Sequence, residues 1–573
     1  MPTLRKSVAW LLLLLLCGCA STKSEDIPPR QPWASGGVAP AGLRATPSLF
    51  QAITSSSNRA MVGIKEPGLR RGVWKGSILI SKESLDDKIA LINTIRGVHV
   101  VERDEILPFV MVELSDEEAL TQLRSQPYVD YVEPAASNLK LMDISGCGPT
   151  NTPSWPMKKN ELGDVLPRDF ATNGIEGAWK RGVTGRGITV GIVDTGVAQH
   201  QTQLLPEQFS TGESAGRTIT YEGCTTIECT DGLPLSAFDS CSHGTRVAGL
   251  IGSPKNGFGA VGVAFGSNLI VAKGGDGVVS TVFDVHEHVR AIRKVRWGGA
   301  KIIEMAFGAV GDGVIPPLED TISFEYHRTD MSEVIFIGAA GSIACSGSVV
   351  FPASMPEVVA VTGINEDGTL EKYSCTGPQV RMAVVLEDVE TDAPVSSFIA
   401  TLGASSGASA MASGIAALVW SRYPQLTRNE VINRMMIRGG RTQIGDGVTR
   451  LNAQQATGGI LGGVITSSKD SVRPNENYTV TTSVDGDGPF SFLWNTGETS
   501  SSIVRQGPGD VGVVVTDKID GTSLNLKRTI PAFHNPQCTA GCDESFKQCM
   551  QSAESIPMRN KCRQERSECI AGC

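Results

Sequence analysis

The sequence lacks an excess of positive charge. Its 573 residues carry 51 Lys and Arg against 60 Asp and Glu, which gives a formal net charge of −9 at pH 7. Because proteins bind nucleic acids chiefly through basic patches, this balance argues against nucleic-acid binding as a general function. The chain is also too long for one hydrophobic core, so we expect three or four folded units.

The N-terminus lacks a hydrophobic run long enough to span a membrane. The run "VAWLLLLLL" follows Arg5 and Lys6 and fits the core of a signal peptide over residues 1–19. The next letters, "LCGC", resemble a bacterial lipobox, which implies cleavage after Gly18 and a lipid on Cys19. Ala20 rather than Asp follows, and by resemblance to Gram-negative lipoproteins this favours the outer membrane. The alternative is an ordinary signal peptide with two unrelated cysteines.

Cysteine, by contrast, is plentiful. Removal of Cys17 and Cys19 leaves twelve of the fourteen cysteines. An even number in an exported chain predicts up to six disulfides and an oxidising compartment. Cys345 and Cys375 follow neighbouring predicted strands and are candidates for one bridge. Two further bridges are expected among four cysteines whose pairing stays open: Cys147, Cys224, Cys229 and Cys241.

The last forty residues, 534–573, contain six cysteines in mirrored spacing. Each trio is spaced by four and seven residues, which places its members on one face of a helix. An antiparallel helical hairpin would pair them in nested order, one of fifteen possible connectivities. A metal-binding knuckle is the alternative, but residues 538–573 contain neither a histidine nor Cys-x-x-Cys spacing. The nested pairs are Cys538–Cys573, Cys542–Cys569 and Cys549–Cys562.

The segments before residue 150 form a linker and a small unit. Residues 20–72 are rich in Ser, Pro and Gly and are predicted to be a flexible tether. Residues 73–142 alternate strand-like runs ("GSILIS", "FVMVEL", "VDYVEPA") with helical ones, which predicts an α+β ferredoxin-like sandwich.

The remaining chain divides into two further units. Residues 150–458 alternate buried, Val- and Ile-rich strands such as "GITVGIVD", "NLIVAK", "KIIEMAF", "EVIFIGA" and "EVVAVTG" with helices. This pattern predicts an α/β domain with a doubly wound, mainly parallel sheet. Residues 459–533 contain short, evenly spaced strands and turn signals, which predict an Ig-like β-sandwich. The stretch from "FLWNTG" to "VVVTD" resembles bacterial extracellular Ig-like repeats.

Three stretches of the α/β domain carry candidate chemistry. "VDTG" places Asp194 at the carboxyl end of a predicted parallel strand, where open α/β sheets place their sites. "HGTRVAG" places His243 at a helix start, and "GASSGASAMASG" places four serines before an apolar helix. Each stretch also has an ordinary interpretation, as a turn aspartate, a surface histidine or an N-cap serine.

Together, in the order Asp…His…Ser, these stretches resemble the subtilisin-like serine proteases, over residues 73–458. The stretch "ELSDEEALTQLRSQPYVDYVEP" is likewise similar to the inhibitory propeptide of that family. An unrelated ferredoxin-like module is the alternative for this unit. The resemblance implies self-processing somewhere in or near "NLKLMDISGCGPT".

The family motif selects one serine. Matching "SGIAALVW" to the end of the family helix aligns Gly414 and places the nucleophile at Ser406; a competing register would select Ser409. The resemblance implies that Ser406 attacks the scissile carbonyl, that His243 moves the proton and that Asp194 orients the imidazole. It implies no metal or cofactor for the chemistry. Structural calcium is common in the family, and the sequence indicates no site for it.

The sequence departs from the family at several positions. Ser342 replaces the asparagine that donates to the oxyanion, and it is the oxyanion candidate here. Loss of one such donor costs about 10²–10³ in rate. The substrate-lining strand reads "EMAFG", in which Glu304 replaces an amide and Ala306, Phe307 and Gly308 are expected to line the cleft by backbone pairing. Ser405 and Ala410 replace the threonine and proline of the serine motif.

The sequence thus predicts an exported, lipid-anchored serine endopeptidase made as a self-processing zymogen, and a monomer. Its expected partners are protein or peptide substrates, its own propeptide and, through the lipid, a membrane. The alternative is a weak or inactive pseudoprotease that serves as a binding scaffold, which Ser342 favours and the intact Asp, His and Ser disfavour. A pure adhesin is a third interpretation, without a residue to support it.

Overall fold

Our computed structural model gives the protein's structure from residue 49 to residue 572. The residues it leaves undescribed within that range are 55–57, 66–81, 105, 138, 142–152, 199–201, 224–238, 240, 276–282, 310–312, 343–347, 394–398, 438, 446, 461, 520, 534 and 535.

The first structured unit is a four-stranded antiparallel sheet with helices on one face. Its strand order is β2-β3-β1-β4, and two short strands, β5 and β6, follow it. The elements are α1 (Leu49–Thr54), β1 (Arg59–Ile64), α2 (Lys82–Ile92), β2 (Val98–Arg103), β3 (Phe109–Leu114), α3 (Glu117–Arg124), β4 (Val129–Pro134), β5 (Ala136–Ser137) and β6 (Leu139–Leu141).

Local sequence explains the boundaries of α3. Asp116 caps the helix by accepting from the N–H of Ala119 (2.8 Å), and acidic Glu117 and Glu118 follow in the first turn. Strand β3 is buried on both faces. One face, including Val110 and Val112, packs on the unit's own helices.

The prediction of a flexible tether over residues 20–72 was wrong for residues 49–54 and 59–64. Helix α1 and strand β1 lie there, and β1 is the inner strand that joins β3 to β4. Its sequence, "RAMVGI", is apolar enough to be a buried strand, but only long-range pairing places it inside the sheet. The predicted strand "GSILIS" lies outside the described residues, as do residues 20–48.

A nine-stranded sheet forms the centre of the molecule, in the order β18-β19-β15-β14-β13-β11-β7-β9-β8. Every pair is parallel except β18 with β19. The elements are α4 (Ile175–Lys180), β7 (Thr189–Asp194), α5 (Pro206–Phe209), β8 (Ile219–Glu222), α6 (His243–Gly252), β9 (Asn268–Lys273), β10 (Phe283–Asp284), α7 (Val285–Trp297), β11 (Ile302–Met305), β12 (Phe307–Ala309), α8 (Pro316–His327), β13 (Ile335–Ala339), β14 (Val358–Ile364), β15 (Val380–Val385), β16 (Val389–Asp392), β17 (Ile399–Leu402), α9 (Ala404–Arg422), α10 (Arg428–Ile437), β18 (Gly440–Arg441), β19 (Thr449–Arg450) and α11 (Ala453–Ala456).

Helices cover both faces of this sheet, which confirms the predicted α/β fold. One hydrophobic core joins the sheet to α4, α6, α9 and α10, and a second joins it to α7 and α8. Because both faces are covered, the inner strands are apolar throughout; all residues of β13 and β14 are buried. The five strands predicted from their apolar runs are β7, β9, β11, β13 and β14.

Two three-stranded antiparallel sheets and a helical hairpin follow the central domain. The sheets, β20-β21-β23 and β22-β24-β25, share a core that contains Trp494. In the hairpin, the disulfides Cys542–Cys569 and Cys549–Cys562 join α12 to α13, as the mirrored spacing predicts. The elements are β20 (Gly462–Ser467), β21 (Asn477–Asp485), β22 (Phe490–Trp494), β23 (Ser502–Gln506), β24 (Gly509–Asp517), β25 (Ser523–Ile530), α12 (Pro536–Ser552) and α13 (Ile556–Gly572).

Candidate active site

Asp194 is the last residue of β7, at the carboxyl end of a strand held between β9 and β11. Its side chain is buried and accepts a hydrogen bond from the N–H of Thr195 (Oδ1, 2.7 Å). The position matches the expectation that an open α/β sheet presents site residues at the carboxyl ends of its strands.

His243 is the first residue of α6 and is completely buried. Its Nδ1 lies 2.8 Å and 3.0 Å from the two carboxylate oxygens of Asp194. Because a carboxylate can only accept, Nδ1 carries the hydrogen and Nε2 is left as the acceptor. Gly244 allows this approach, since a Cβ there would lie 2.2 Å from the carbonyl oxygen of Gly196.

Ser406 lies in the first turn of α9, with its Oγ 3.1 Å from Nε2 of His243. The same Oγ is 3.3 Å from the carbonyl oxygen of Ala306. The helix begins at Ala404, whose φ of +51° is a left-handed conformation that alanine rarely adopts. Backbone strain of this kind is concentrated at functional sites.

Ser409 has different partners from Ser406. Its hydroxyl donates to Oε1 of Glu304 (2.6 Å) and lies 3.1 Å from the carbonyl oxygen of Ser406. The structure therefore brings Ser406 together with Asp194 and His243, and places Ser409 behind Ser406, against the central sheet.

Asp239 supports this arrangement, and the sequence analysis did not identify it. Its Oδ1 accepts from the Thr195 hydroxyl (2.8 Å) and from the N–H of Ser242 (2.7 Å), and Oδ2 accepts from the N–H of Thr245 (2.8 Å). Asp239 thus ties the residue after Asp194 to the turn before His243. Complete burial raises its pKa, which these hydrogen bonds partly offset.

A local signal for Asp239 exists in the sequence. An aspartate a few residues ahead of a helix commonly accepts hydrogen bonds from the following backbone N–H groups. Here it holds Ser242 at a φ of +70°, a strained conformation for serine. What the sequence alone does not show is the contact with Thr195, which lies 44 residues earlier.

The oxyanion candidate Ser342 is partly buried beside the first turn of α9. Its Oγ lies 3.2 Å from the Oγ of Ser405. Ser405 in turn accepts from the N–H of Gly341 (3.0 Å) and donates to the carbonyl oxygen of Gly341 (2.8 Å). The Ser342 hydroxyl is therefore next to the first turn of α9, and the Ser405 hydroxyl competes for its hydrogen bond.

The substrate-lining residues predicted from "EMAFG" lie on β12 and just before it. The backbone of β12 pairs antiparallel with β6, with Phe307 opposite Leu141 and Gly308 opposite Lys140. A Cβ at Gly308 would meet Val350 at 2.4 Å, so glycine is required for the close fit. The Phe307 side chain is buried and packs edge-on against His288 (ring centroids 4.5 Å apart).

The other cysteine predictions are only partly covered by the described residues. Cys241, Cys375 and Cys538 are each disulfide-bonded. The cysteines outside the described residues are Cys17, Cys19, Cys147, Cys224, Cys229, Cys345 and Cys573. Cys241 is buried two residues before His243, so its disulfide fixes the chain next to the site.

The described part of the chain also bears on metal binding and membrane insertion. No group of three or more His, Cys, Asp or Glu side chains there could hold a metal ion. Likewise, none of the helices within the described ranges combines the length and apolar character needed to cross a bilayer.

Comparison with known proteins gives the site its context. The model of the Subtilase family matches residues 185–455, a stretch that includes Asp194, His243 and Ser406. The chain is also similar to the thermostable alkaline protease of Halalkalibacterium halodurans, at 25% identity over 345 residues, which covers 59% of this chain and 79% of that protein. The chain is a subtilisin-like serine peptidase.

Two further relatives of the peptidase show the same level of similarity. Subtilisin DY of Bacillus licheniformis is 28% identical over 276 residues, 46% of this chain and 88% of that protein. The minor extracellular protease Epr of Bacillus subtilis is 24% identical over 343 residues, 57% of this chain and 46% of that protein. These alignments leave a large part of this chain unmatched.

Proposed function

We propose that the peptidase is an endopeptidase that hydrolyses peptide bonds through Asp194, His243 and Ser406. His243 takes the hydroxyl proton at Nε2 as Ser406 Oγ attacks the scissile carbonyl carbon, and the proton then passes to the leaving amine. Asp194 stabilises the imidazolium that forms. Water, deprotonated by His243, then hydrolyses the acyl-enzyme and restores Ser406.

One observation carries this proposal. A continuous hydrogen-bonded chain runs from Asp194 through both nitrogens of His243 to Ser406, with distances of 2.8 Å and 3.1 Å. A nucleophile within reach of a base, itself oriented by a third group, is the arrangement that nucleophilic catalysis requires. Residues with these contacts come from three separate elements, β7, α6 and α9.

The oxyanion formed in the attack needs hydrogen-bond donors. The N–H groups in the first turn of α9 have no partner within the helix and can supply the first donor at Ser406. Ser342 can supply a second donor through its hydroxyl. The serine side chain reaches less far than that of asparagine, and its Oγ lies 3.2 Å from the Oγ of Ser405. We therefore expect a slow peptidase rather than an inactive one.

We further propose that residues 49–141 act as an inhibitory propeptide with the ferredoxin-like fold. The strand order β4-β1-β3-β2, with a helix after β1 and another after β3, supports this fold. One face of its sheet, with Met61, Phe109 and Met111, shares a hydrophobic core with α7 and α8. Strand β6 continues from this unit along β12, beside the proposed nucleophile.

Charged side chains add to the contact between the propeptide and α7. Glu102 pairs with Arg290 (3.1 Å) and His286 (3.4 Å), and Asp104 forms a buried ion pair with Arg293. The hydrogen bond from His286 is the main reason why the pKa of Glu102 is lowered, against the opposing effect of burial. Both acids lie on the propeptide side and all three bases lie on one face of the helix.

The register of β6 supports a proposal for the bond that the peptidase cleaves in its own chain. Leu139, Lys140 and Leu141 pair with Ala309, Gly308 and Phe307. Leu141 thus lies opposite the residue that follows Ala306, whose carbonyl oxygen is 3.3 Å from Ser406 Oγ. We therefore assign self-cleavage to the bond between Met142 and Asp143, which lies outside the described residues.

The first test is labelling of the purified, exported protein with a fluorophosphonate probe, with Ser406→Ala and Ser409→Ala beside it. We expect labelling and propeptide release in the wild type and in Ser409→Ala, and neither in Ser406→Ala. Mass spectrometry of the same samples should find a mature N-terminus at Asp143. Matched thermal unfolding of the three proteins shows whether a loss of labelling reflects a loss of folding.

Two outcomes would contradict the proposal. Labelling that disappears only in Ser409→Ala would show that Ser409, and not Ser406, is the nucleophile. A folded wild type that is neither labelled nor cleaved would favour the alternative, a pseudoprotease scaffold, with Ser342→Asn as the first variant to restore activity. A mature N-terminus far from residue 143 would contradict only the cleavage register.

The remaining modules and the location of the protein are also proposals. We propose that the chain is exported as a lipoprotein anchored through Cys19, with the outer membrane as the destination. The two sheets of residues 462–530 are proposed to form an Ig-like sandwich, and α12 with α13 a disulfide-stapled hairpin. Metabolic labelling with a fatty-acid analogue, compared between wild type and Cys19→Ala, tests the anchor; equal labelling would contradict it.

A further inference from the structure

Glu304 is a buried carboxyl group in the middle of the central sheet. It lies on β11, and its neighbours in register are Ile192 on β7 and Ile337 on β13. The side chain is completely inaccessible to solvent. A carboxyl group among such neighbours carries a large desolvation cost unless it is neutral or well paired.

The contacts of Glu304 connect the two sides of the proposed site. Its Oε1 accepts from Ser409 (2.6 Å), whose hydroxyl also lies 3.1 Å from the Ser406 carbonyl oxygen. Along its own strand it is two residues from Ala306, and the amide of Ala306 favours the ionised carboxyl. Ala306 is also the residue whose carbonyl oxygen is 3.3 Å from Ser406 Oγ.

The charge environment of Glu304 favours its neutral form. Burial raises its pKa well above the usual range, and the carboxylate of Asp194 raises it further. Oε2 makes no hydrogen bond to any residue that the structure describes, so no donor there compensates a negative charge on the carboxyl group. Among the described residues, the titratable groups on the site side of Glu304 are Asp194 on β7 and, beyond it, His243 on α6. The facing turn of α9 has no charged side chain, and its polar side chains are serines.

We propose that Glu304 is a positioning residue that joins the strand ending at Ala306 to the first turn of the nucleophile helix through Ser409, and so fixes where Ser406 stands. This inference rests on the proposed function, since it assigns Ser406 as the nucleophile. A neutral carboxyl makes the connection without adding a second negative charge beside Asp194. Like charges so close in a buried site would disfavour each other strongly.

The test compares three variants in the full chain by the kinetics of fluorophosphonate inactivation. Glu304→Gln keeps a neutral acceptor for Ser409, whereas Glu304→Met removes it with little change of volume. Ser409→Ala removes the same hydrogen bond from the helix side and creates little cavity. We expect the limiting inactivation rate to fall about tenfold or more in Glu304→Met and Ser409→Ala, because small displacements of a nucleophile are costly.

Binding of the probe should be nearly unchanged in these variants, since the positioning contact lies behind the nucleophile. The double variant Glu304→Met with Ser409→Ala should be no slower than either single variant, because both remove one interaction. Glu304→Gln should react at close to the wild-type rate. Independent, multiplicative losses in the double variant would overturn the inference.

The pH dependence of inactivation tests the charge of Glu304. The acidic limb of this profile reports protonation of the general base. If Glu304 is neutral, Glu304→Gln leaves that limb in place. If Glu304 is ionised, removing its charge destabilises the imidazolium and moves the limb to lower pH, which would overturn the neutral assignment.

The two levels of proposal fail in different ways. No labelling of a folded wild type would overturn both the proposed function and this inference. A labelled wild type with Glu304→Met and Ser409→Ala equally reactive would overturn only the positioning role. If only Glu304→Met fails to fold, the inactivation rate of Ser409→Ala and the pH profile of Glu304→Gln still test the positioning role.

Discussion

At the scale of single residues, neighbouring serines on one helix differ only in what surrounds them. Ser406 faces an imidazole nitrogen and Ser409, almost one turn later, faces a buried carboxyl. A serine hydroxyl is a weak nucleophile at neutral pH and requires an adjacent base. The contact with His243 distinguishes Ser406 from Ser409 physically, in agreement with the serine that the family motif selects.

Buried acids away from the site also affect this protein. Asp392, at the end of β16, accepts from the Thr202 hydroxyl (2.6 Å) and from the N–H groups of Gln203 (2.9 Å) and Ala393 (3.1 Å). These bonds only partly offset its complete burial, which raises its pKa to about 7. Its proton is therefore bound more tightly in the folded state than in the unfolded state.

This shift predicts a loss of stability as pH rises. The unfolded pKa is near 3.8 and the folded one near 7, so the free energy of unfolding falls between these values and levels off above them. The fall amounts to at most about 4 kcal/mol for Asp392. The test measures the free energy of unfolding in urea from pH 4 to 8, in a Ser406→Ala background that is expected to prevent self-digestion. This free energy should fall less with rising pH in Asp392→Asn than in the protein that keeps Asp392. An equal fall in the two proteins would contradict the prediction.

At the scale of elements, the pairing of β6 with β12 fits two proposed roles of one strand. Backbone hydrogen bonds hold the chain's own segment along β12, and the same kind of bond can hold an extended substrate peptide whatever its side chains. The sheet of the proposed propeptide also packs against α7 and α8. We therefore expect release of the propeptide to depend on this second contact after the bond is cut.

The ion pair between Asp104 and Arg293 provides a test of that contact. Asp104→Asn keeps an oxygen for the N–H groups of Ile106 and Leu107 but removes the charge that faces Arg293. A buried arginine left without its partner is costly, so the cleaved propeptide should dissociate sooner. Size-exclusion chromatography after cleavage should show less propeptide bound to the peptidase than in the wild type.

A matched control is Glu113→Gln. Its partner is Arg59, at 3.1 Å, and this pair is exposed and lies wholly within the propeptide. Exposed pairs contribute little, so this variant should retain propeptide like the wild type. Equal retention in Asp104→Asn would show that the apolar face alone holds the propeptide.

At the scale of the whole molecule, the C-terminal sheets are connected to the peptidase domain by a buried ion pair. Arg181, just after α4, pairs with Asp517 at 2.6 Å and also donates to the carbonyl oxygen of Gly458 (2.9 Å). Both side chains are almost completely inaccessible, at 2% and 0% exposure. The sheets are therefore joined to the peptidase domain by a buried contact as well as by the connecting chain.

Replacing one member of this ion pair should destabilise the protein more than replacing both members. Arg181→Met or Asp517→Asn leaves one buried charge without its partner, which costs about 3–5 kcal/mol. The double variant leaves neither charge and should be more stable than the sum of the two changes implies. Urea unfolding in the Ser406→Ala background measures this, with Glu213→Gln, which breaks an exposed pair with Lys255, as the control.

Most of the central fold was predictable because its signals are local. The strands β7, β9 and β14 are continuous apolar runs, as burial on both faces requires. The hairpin cysteines follow helical spacing, and two of their predicted bridges are present. Strand β1 was missed because its place inside a sheet depends on pairing with β3 and β4, whose partner residues are 46 to 74 positions away along the chain.

The sequence by itself determined the kinds of groups in the site and the elements that carry them. Asp194 ends an apolar strand, His243 begins a helix and Ser406 lies in the first turn of another, and each of these follows from short-range patterns. Only the tertiary structure decided which serine meets His243, that Asp239 ties Thr195 to the turn before it, and that Glu304 contacts Ser409. The physical reason is that these contacts join residues 44 to 163 positions apart, and packing of the central sheet, not local propensity, brings them within hydrogen-bonding distance.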